Sequence, residues 1–290
     1  MTLTLAKYMN ADPTLWKFPV LAALSPPFHI QGIRELSEEE QTRSAEYTAV
    51  AVDARNRFKL FTILRKNYQE WSDYTRSLFT QEEGFTDDEI AELDRLQLNY
   101  LSSAKSLIDQ FRQHWVQSHR NTDREKEYND FIGRLGRNSW AFSFFQDLRN
   151  FTQHCGLPTG NYARTVNINS INILIEADVH WLLAHYDRWD KSKLTEAHGQ
   201  LNLLELMREY NVYLHEHFGA FLAAEFAPSL LDAHNFFASL AKEVIDLHPK
   251  AQFKILTTVT KNGNSFNYTL KTPPSNLLGS IGISMTKKES

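Results

Sequence analysis

The sequence predicts a mainly α fold, an antiparallel bundle of long helices with a small β-hairpin appendage near the C-terminus. Apolar residues recur every three or four positions through most of the chain, which is the spacing of one face of a helix. Capping boxes open three of the predicted helices, whereas the tail carries β-rich runs around an Asn-Gly pair. A chain of 290 residues, 42% of them hydrophobic, can bury a sizeable core.

The first segment, residues 1–45, is interpreted as an N-terminal arm and a first short helix. The arm is predicted to be irregular because it contains four prolines, at positions 13, 19, 26 and 27. A capping box at residues 37–40 (Ser-Glu-Glu-Glu) opens the helix. Apolar residues from Val50 to Leu78 then follow helical spacing, which predicts a long helix.

Three further helices are predicted before residue 158. A second box at residues 86–89 opens a helix that we expect to pack antiparallel to the first long one. A third box at residues 122–125 opens a shorter helix. Asn138 or Ser139 can cap the fourth helix, which ends at Gly156-Leu157-Pro158.

In the second half of the chain, the spacing of apolar residues changes twice. Apolar residues from Val166 to Ile175 come mostly at alternate positions, which indicates a strand or an irregular pair. Helix is predicted from about Thr195 to Pro228 and again from 229 to 249, followed by a hairpin formed by 252–260 and 265–270. The expected organisation is an arm over 1–45, one helical domain over 46–250, and a hairpin and tail over 251–290.

Composition narrows the classes of function. Cys155 is the only cysteine, so an internal disulfide framework and clusters of cysteine metal ligands are excluded. Neither a signal peptide nor a membrane-spanning run is apparent, and we expect a cytoplasmic protein with no membrane association. The formal net charge of -4 argues against a generally basic surface that coats nucleic acid.

Common cofactor and metal motifs are missing from the sequence. It contains no phosphate-binding P-loop, no Gly-x-Gly-x-x-Gly, no Gly-x-Ser-x-Gly and no His-Glu-x-x-His. His215 and His217 stand about 200° apart on a helix, so they cannot bind one metal from the same face. We therefore expect neither a cofactor nor a metal.

One short motif remains, at the end of the fourth predicted helix. Residues 148–156 read Leu-Arg-Asn-Phe-Thr-Gln-His-Cys-Gly. They resemble the signature of the HEPN (higher eukaryotes and prokaryotes nucleotide-binding) superfamily, which is an Arg, a polar residue and, after a short gap, a His. The signature residues would be Arg149, Asn150 and His154.

Two looser matches, Arg112 to His119 and Arg208 to His215, lie within ordinary amphipathic helices. Arg208 is followed by an acid, Glu209, which would repel a phosphate. Of the three matches, only Arg149 to His154 has Asn directly after the Arg, and only this match is predicted to lie at the end of a helix. Helical spacing of about 100° per residue places Asn150 and His154 on one face, with Arg149 on the flank. The opposite face is an apolar stripe of Ala141, Phe144, Phe145, Leu148, Thr152 and Cys155.

The resemblance implies a metal-independent endoribonuclease, an RNA-binding hydrolase that acts as a homodimer with one motif from each subunit lining a shared cleft. His154 would act as general acid or base on the ribose 2′-hydroxyl or the leaving 5′-oxygen. Arg149 would stabilise charge on the phosphate, and Asn150 would orient one of these groups. The expected products are a 2′,3′-cyclic phosphate and a 5′-hydroxyl.

Other interpretations stay open. A His in the last turn of a helix is favoured by the helix dipole, and Arg and Asn on a solvated face need no function. The chain could be a HEPN-like helical dimer that binds nucleotide, RNA or a protein without cutting, or a helical scaffold whose aromatic residues dock a partner. As a nuclease it could be a toxin, with an antitoxin or regulatory protein as partner, or a defence protein.

Overall fold

The computed structural model describes residues 19–26, 29–80, 83–158, 160–167, 170–189, 191–196, 199–262 and 265–271. The mainly α fold predicted from the sequence is confirmed, with long helices and a β-hairpin near the C-terminus. The chain forms two compact units, one of Met1–Asn56 with Ala223–Ser290 and one of Arg57–Leu222. The boundary between them falls within the two longest helices.

The described helices and strands follow the chain in this order. The helices are α1 (Glu38–Leu78), α2 (Asp87–Ser118), α3 (Glu127–Asn138), α4 (Trp140–His154), α5 (Val179–His185), α6 (Lys191–Glu196) and α7 (Leu203–Leu247). The strands are β1 (Val20–Ser25), β2 (His29–Glu35), β3 (Gly160–Asn167), β4 (Ser170–Asp178), β5 (Gln200–Asn202), β6 (Gln252–Asn262) and β7 (Ser265–Lys271).

The first unit holds a four-stranded antiparallel sheet in the order β2-β1-β6-β7. The predicted C-terminal hairpin is confirmed, but it is not an isolated appendage, because β6 pairs with β1. The described part of the predicted irregular arm is therefore two strands. One face of the sheet packs against α7 in a buried cluster that includes Leu21, Ile33, Phe237, Leu240 and Ile255.

An ion-pair network ties the same unit together. The guanidinium of Arg34 on β2 donates to both carboxylate oxygens of Glu40 at 2.7 Å. It also donates to both oxygens of Glu243 on α7, at 2.8 and 2.9 Å. These bonds hold the pKa of Arg34 above its ordinary value, and the bond from Arg34 lowers the pKa of Glu40. One strand and two helices thus share a single half-buried cation.

The second unit is built around aromatic side chains. Tyr68 on α1 lies 5.5 Å from Tyr100 on α2, and Tyr74 further along α1 lies near Glu89 at the start of α2. The second half of α1 therefore packs antiparallel to α2, as predicted. Rings from α2, α3, α4 and α7 fill the centre of the unit: Tyr100, Phe111, Trp115, Tyr128, Phe131, Phe142, Phe145, Tyr210, Phe218 and Phe221.

The three predicted capping boxes have different outcomes. Those at residues 37–40 and 86–89 form, with reciprocal bonds between the hydroxyl residue and the glutamate. At residues 122–125 no side-chain cap forms, because the Thr122 hydroxyl donates to the backbone oxygen of His119 and Glu125 accepts from the backbone N–H of Asn121. A 3₁₀ helix (Asp123–Lys126) stands there, and α3 begins only after it.

Of the two alternatives predicted for the run after Pro158, a strand or an irregular pair, the structure has a pair, and its register is regular. β3 and β4 pair antiparallel, and β5 extends the sheet beyond β4. Gly160 lies so close to its neighbour that an added Cβ would stand 1.3 Å from the backbone oxygen of Glu176. Only glycine fits at that position without a shift of the backbone.

The predicted break at Pro228 is wrong, because α7 continues through it. Proline lacks the N–H that would bond to the carbonyl four residues earlier, which costs a helix interior roughly 3 kcal/mol. Apolar residues on both sides are deeply buried and keep the helix in place: Phe226, Leu230, Ala233 and Phe237. The predicted helix from Thr195 is also wrong at its start, where α6 ends at Glu196 and β5 intervenes.

Candidate functional site

Helix α4 carries the motif and is fixed at its N-terminal end. Ser139 caps the helix by accepting a hydrogen bond from the backbone N–H of Phe142 at 3.1 Å. Six apolar side chains of α4 are buried: Ala141, Phe142, Phe144, Phe145, Leu148 and Phe151. This buried face is wider than the predicted stripe, which placed Thr152 and Cys155 in it although both are only partly buried.

The C-terminal end of α4 is held by the segment around α5. The ring of Phe151 lies 5.0 Å from Trp181 and 5.8 Å from Trp189. The Cys155 thiol donates to the backbone oxygen of His185 at 3.2 Å. Gly156 then leaves the helix at a φ of +117°, a conformation that favours glycine. The motif therefore stands on an anchored helix end.

Two of the three predicted site residues share a helix face, as predicted from their spacing. His154 is the last residue of α4 and its side chain is exposed. Asn150 lies one turn earlier and is partly buried. Within the part of the chain that the structure describes, neither side chain has a hydrogen-bond partner, so both are available to a ligand or a second subunit.

Arg149 is not brought into contact with the other two. One terminal nitrogen of its guanidinium donates to the side-chain oxygen of Gln153, one turn further along the same edge of the helix. Its Nε is buried and has no hydrogen-bond partner in the described ranges of the chain. A buried donor without a partner carries a desolvation cost that an acceptor from a ligand would relieve. In this arrangement Arg149 is directed to Gln153, and no hydrogen bond joins its guanidinium to Asn150 or His154 among the described residues.

An acid beside this helix end has no signal in the sequence pattern. Asp94 on α2 accepts a hydrogen bond from the Tyr162 hydroxyl at 2.6 Å. Burial raises the pKa of Asp94, and this hydrogen bond opposes the rise. Asp94 and Leu157, three residues after His154, both line a surface pocket of about 400 Å³. In the sequence, Asp94 looks like any exposed acid of an amphipathic helix. Its contact with Tyr162 forms only when β3 packs beside α2.

The two looser matches to the signature differ in position: His215 lies inside α7, but His119 is the C-cap residue of α2, so the prediction that only the central match ends a helix is wrong. The His119 ring packs against Trp115 at a centroid distance of 4.3 Å. The His215 ring packs 4.8 Å from Phe61, and its Nδ1 is 2.9 Å from the backbone oxygen of Asn211. Burial lowers the pKa of His215. Both imidazoles therefore serve the packing of the second unit.

No protein-family model, curated protein or solved structure matches the chain. Among the described residues, no helix is long and apolar enough to cross a membrane. The same residues include no group of three or more His, Cys, Asp or Glu side chains placed to hold a metal ion.

Proposed function

We propose that the chain is a HEPN-type, metal-independent endoribonuclease that cleaves RNA by attack of the ribose 2′-hydroxyl. The observation that carries the proposal is the exposed imidazole of His154 at an anchored helix end, one turn from the amide of Asn150, both without a hydrogen-bond partner among the residues that the structure describes. Imidazole is the side chain best suited to move a proton near neutral pH. The guanidinium that would stabilise a phosphate is adjacent in sequence.

Each motif residue has one task in this reaction. His154 takes the proton from the 2′-hydroxyl or gives one to the leaving 5′-oxygen. Arg149 donates to the phosphate oxygens as negative charge builds on them. Asn150 holds the phosphate or the imidazole in line by a hydrogen bond. The 2′-oxygen bonds to phosphorus as the bond to the 5′-oxygen breaks, which leaves a 2′,3′-cyclic phosphate and a 5′-hydroxyl.

On substrate binding, a phosphate would replace Gln153 as the hydrogen-bond partner of Arg149. The guanidinium gives up the neutral amide of Gln153 for an anionic phosphate, which adds attraction between opposite charges and can accept two parallel hydrogen bonds from the guanidinium. The unpartnered Nε would gain an acceptor in the same step. A second motif from a homodimeric partner would close the pocket on its open side.

The experiment is an RNA-cleavage assay with EDTA present. The unmodified chain is expected to cut single-stranded or structured RNA, and His154→Ala and Arg149→Ala should each lower the rate at least about a hundredfold, the usual contribution of a general acid or base. His217→Ala is the matched control, since this histidine is also exposed on a helix of the same unit.

Circular dichroism of each variant should match the unmodified helical signal, so that loss of cutting reports chemistry and not unfolding. Retained cutting in both His154→Ala and Arg149→Ala would remove the motif from the mechanism. Products ending in a 3′-hydroxyl would exclude attack by the 2′-hydroxyl.

A second candidate is a HEPN-like dimer that binds nucleotide, RNA or a protein partner without cutting. The bond between Arg149 and Gln153 favours it, because the guanidinium is not poised toward His154. Fluorescence anisotropy with labelled RNA separates the two. Binding without any cleavage, weakened by Arg149→Ala and unaffected by His154→Ala, would select the non-catalytic dimer.

The setting that fits a nuclease of this type is the cytoplasm, where it would act as a toxin or a defence protein. An antitoxin or other regulatory protein would then be needed to keep the site silent. Co-purification of the chain with a neighbouring open reading frame's product, and inhibition of cleavage by that product, tests this setting.

A further inference from the structure

A pocket of about 400 Å³ lies in the second unit, between the C-terminal part of α1 and the start of α7. Its lining combines two arginines, three aromatic rings and two hydroxyls: Arg76, Arg208, Tyr68, Trp71, Phe79, Ser72 and Thr75. The volume lies at the small end of the range typical of small-molecule sites. None of the three motif residues lines this pocket.

The two guanidinium groups at the pocket have few or weak interactions with acidic side chains in the described part of the chain. Arg76 has one acidic partner, Asp73, at 3.1 Å, and the two side chains are 75% and 55% exposed. An ion pair so open to water contributes little and yields readily to a stronger anion. Arg208 has no acidic partner in the described part of the chain. The acid that follows it, Glu209, lies 3.5 Å from the Ser139 hydroxyl instead.

Arg76 and Arg208 line the pocket together with Tyr68, so both positive charges lie near its hydroxyl. Burial raises the pKa of the Tyr68 hydroxyl, and the charges of Arg208 and Arg76 act on it in the opposite direction. The Tyr68 ring lies 5.7 Å from that of Trp71, so the inner wall is aromatic. A cationic mouth beside an aromatic wall matches a ligand that carries an anionic group and a planar ring.

We propose that this pocket binds a small phosphorylated molecule with a planar aromatic group, of the size of a nucleoside monophosphate. Arg76 and Arg208 would bind the phosphoryl oxygens through forked hydrogen bonds, because guanidinium geometry matches phosphate oxygens. The planar group would rest against the aromatic wall. The site is separate from the motif on α4 and does not rest on the proposed nuclease function.

The test is isothermal titration calorimetry of the full chain with three probes: inorganic phosphate, adenosine and adenosine monophosphate. The monophosphate is expected to bind more tightly than either fragment, because it occupies both parts of the pocket. Binding should weaken as salt is raised, since the arginines are exposed to solvent.

Arg76→Gln and Arg208→Gln are each expected to weaken binding of the monophosphate at least about tenfold, the equivalent of losing one hydrogen bond to a charged group. Arg112→Gln, an exposed arginine on α2 outside the pocket, should leave the affinity unchanged. All three replace exposed side chains, and the thermal midpoints of the variants will show that they fold.

Equal affinity in the unmodified chain and in Arg208→Gln would overturn the proposal, as would the failure of phosphate and the monophosphate to bind at millimolar concentration. If the monophosphate binds no more tightly than phosphate, the proposed contact between a planar group and the aromatic wall is wrong. His154→Ala should bind the monophosphate normally, so that this proposal and the proposed nuclease function succeed or fail separately.

Discussion

Single side chains divide into those that the sequence makes predictable and those that only tertiary contacts reveal. The shared face of Asn150 and His154 follows from helical spacing alone. The bond from Arg149 to Gln153 does not, because a flexible side chain chooses among several neighbours. The pairing of Asp94 with Tyr162 joins residues on separate elements, and no local pattern encodes it.

Asp94 should make the stability of the protein depend on pH. Because burial raises its pKa, the folded state binds more protons than the unfolded chain between the ordinary value of 3.8 and the raised one. The free energy of unfolding therefore falls as the pH rises through that window. At neutral pH the protein still carries the full cost of burying the ionised Asp94 carboxylate. Asp94→Asn keeps an acceptor for the Tyr162 hydroxyl and removes this cost.

We expect Asp94→Asn to raise the thermal midpoint at pH 7 and to lose that advantage below about pH 4, where the ordinary aspartate is itself protonated. Asp109→Asn is the control, because Asp109 lies exposed on the same helix and pairs with Lys105. A midpoint gain that is the same at both pH values would show that Asp94 carries no pH-dependent cost.

At the scale of elements, a helix can be predicted where its capping residues and the spacing of its apolar residues agree. A strand is missed where it depends on pairing with a strand far away in the sequence. The start of α2 and the cap of α4 follow from the sequence. β1 reads Val-Leu-Ala-Ala-Leu-Ser, which favours helix as much as strand, and it becomes a strand through pairing with β2 and β6. Pro228 fails as a stop because burial outweighs one lost hydrogen bond.

The close pairing of β3 and β4 gives a prediction about glycine. Gly160→Ala should destabilise the protein by about 1–3 kcal/mol, because the new methyl group meets the backbone oxygen of Glu176 and the strands must separate. Gly136→Ala is the matched control, since Gly136 lies in α3 with open space around it, and it should stabilise by roughly 0.5–1 kcal/mol. Urea unfolding measures both, and equal effects would contradict the close contact.

At the scale of the whole molecule, the candidate site depends on what stands opposite the end of α4. His154 is exposed and Asn150 has no hydrogen-bond partner among the described residues, so a phosphate bound there by one chain would be open to water on one side. A water-filled site weakens every electrostatic contact that Arg149 could make. An isologous dimer places the same surface of both subunits together and so brings a second motif to the first.

We therefore expect sedimentation equilibrium to show a dimer at micromolar concentration, and cleavage per chain to fall when the protein is diluted below the dimer dissociation constant. Arg149→Ala should remain dimeric while losing activity, because its loss removes phosphate binding and leaves the buried face of α4 intact. A chain that sediments as a monomer and cuts RNA at an undiminished rate on dilution would show that one motif is sufficient, and the composite cleft would have to be abandoned.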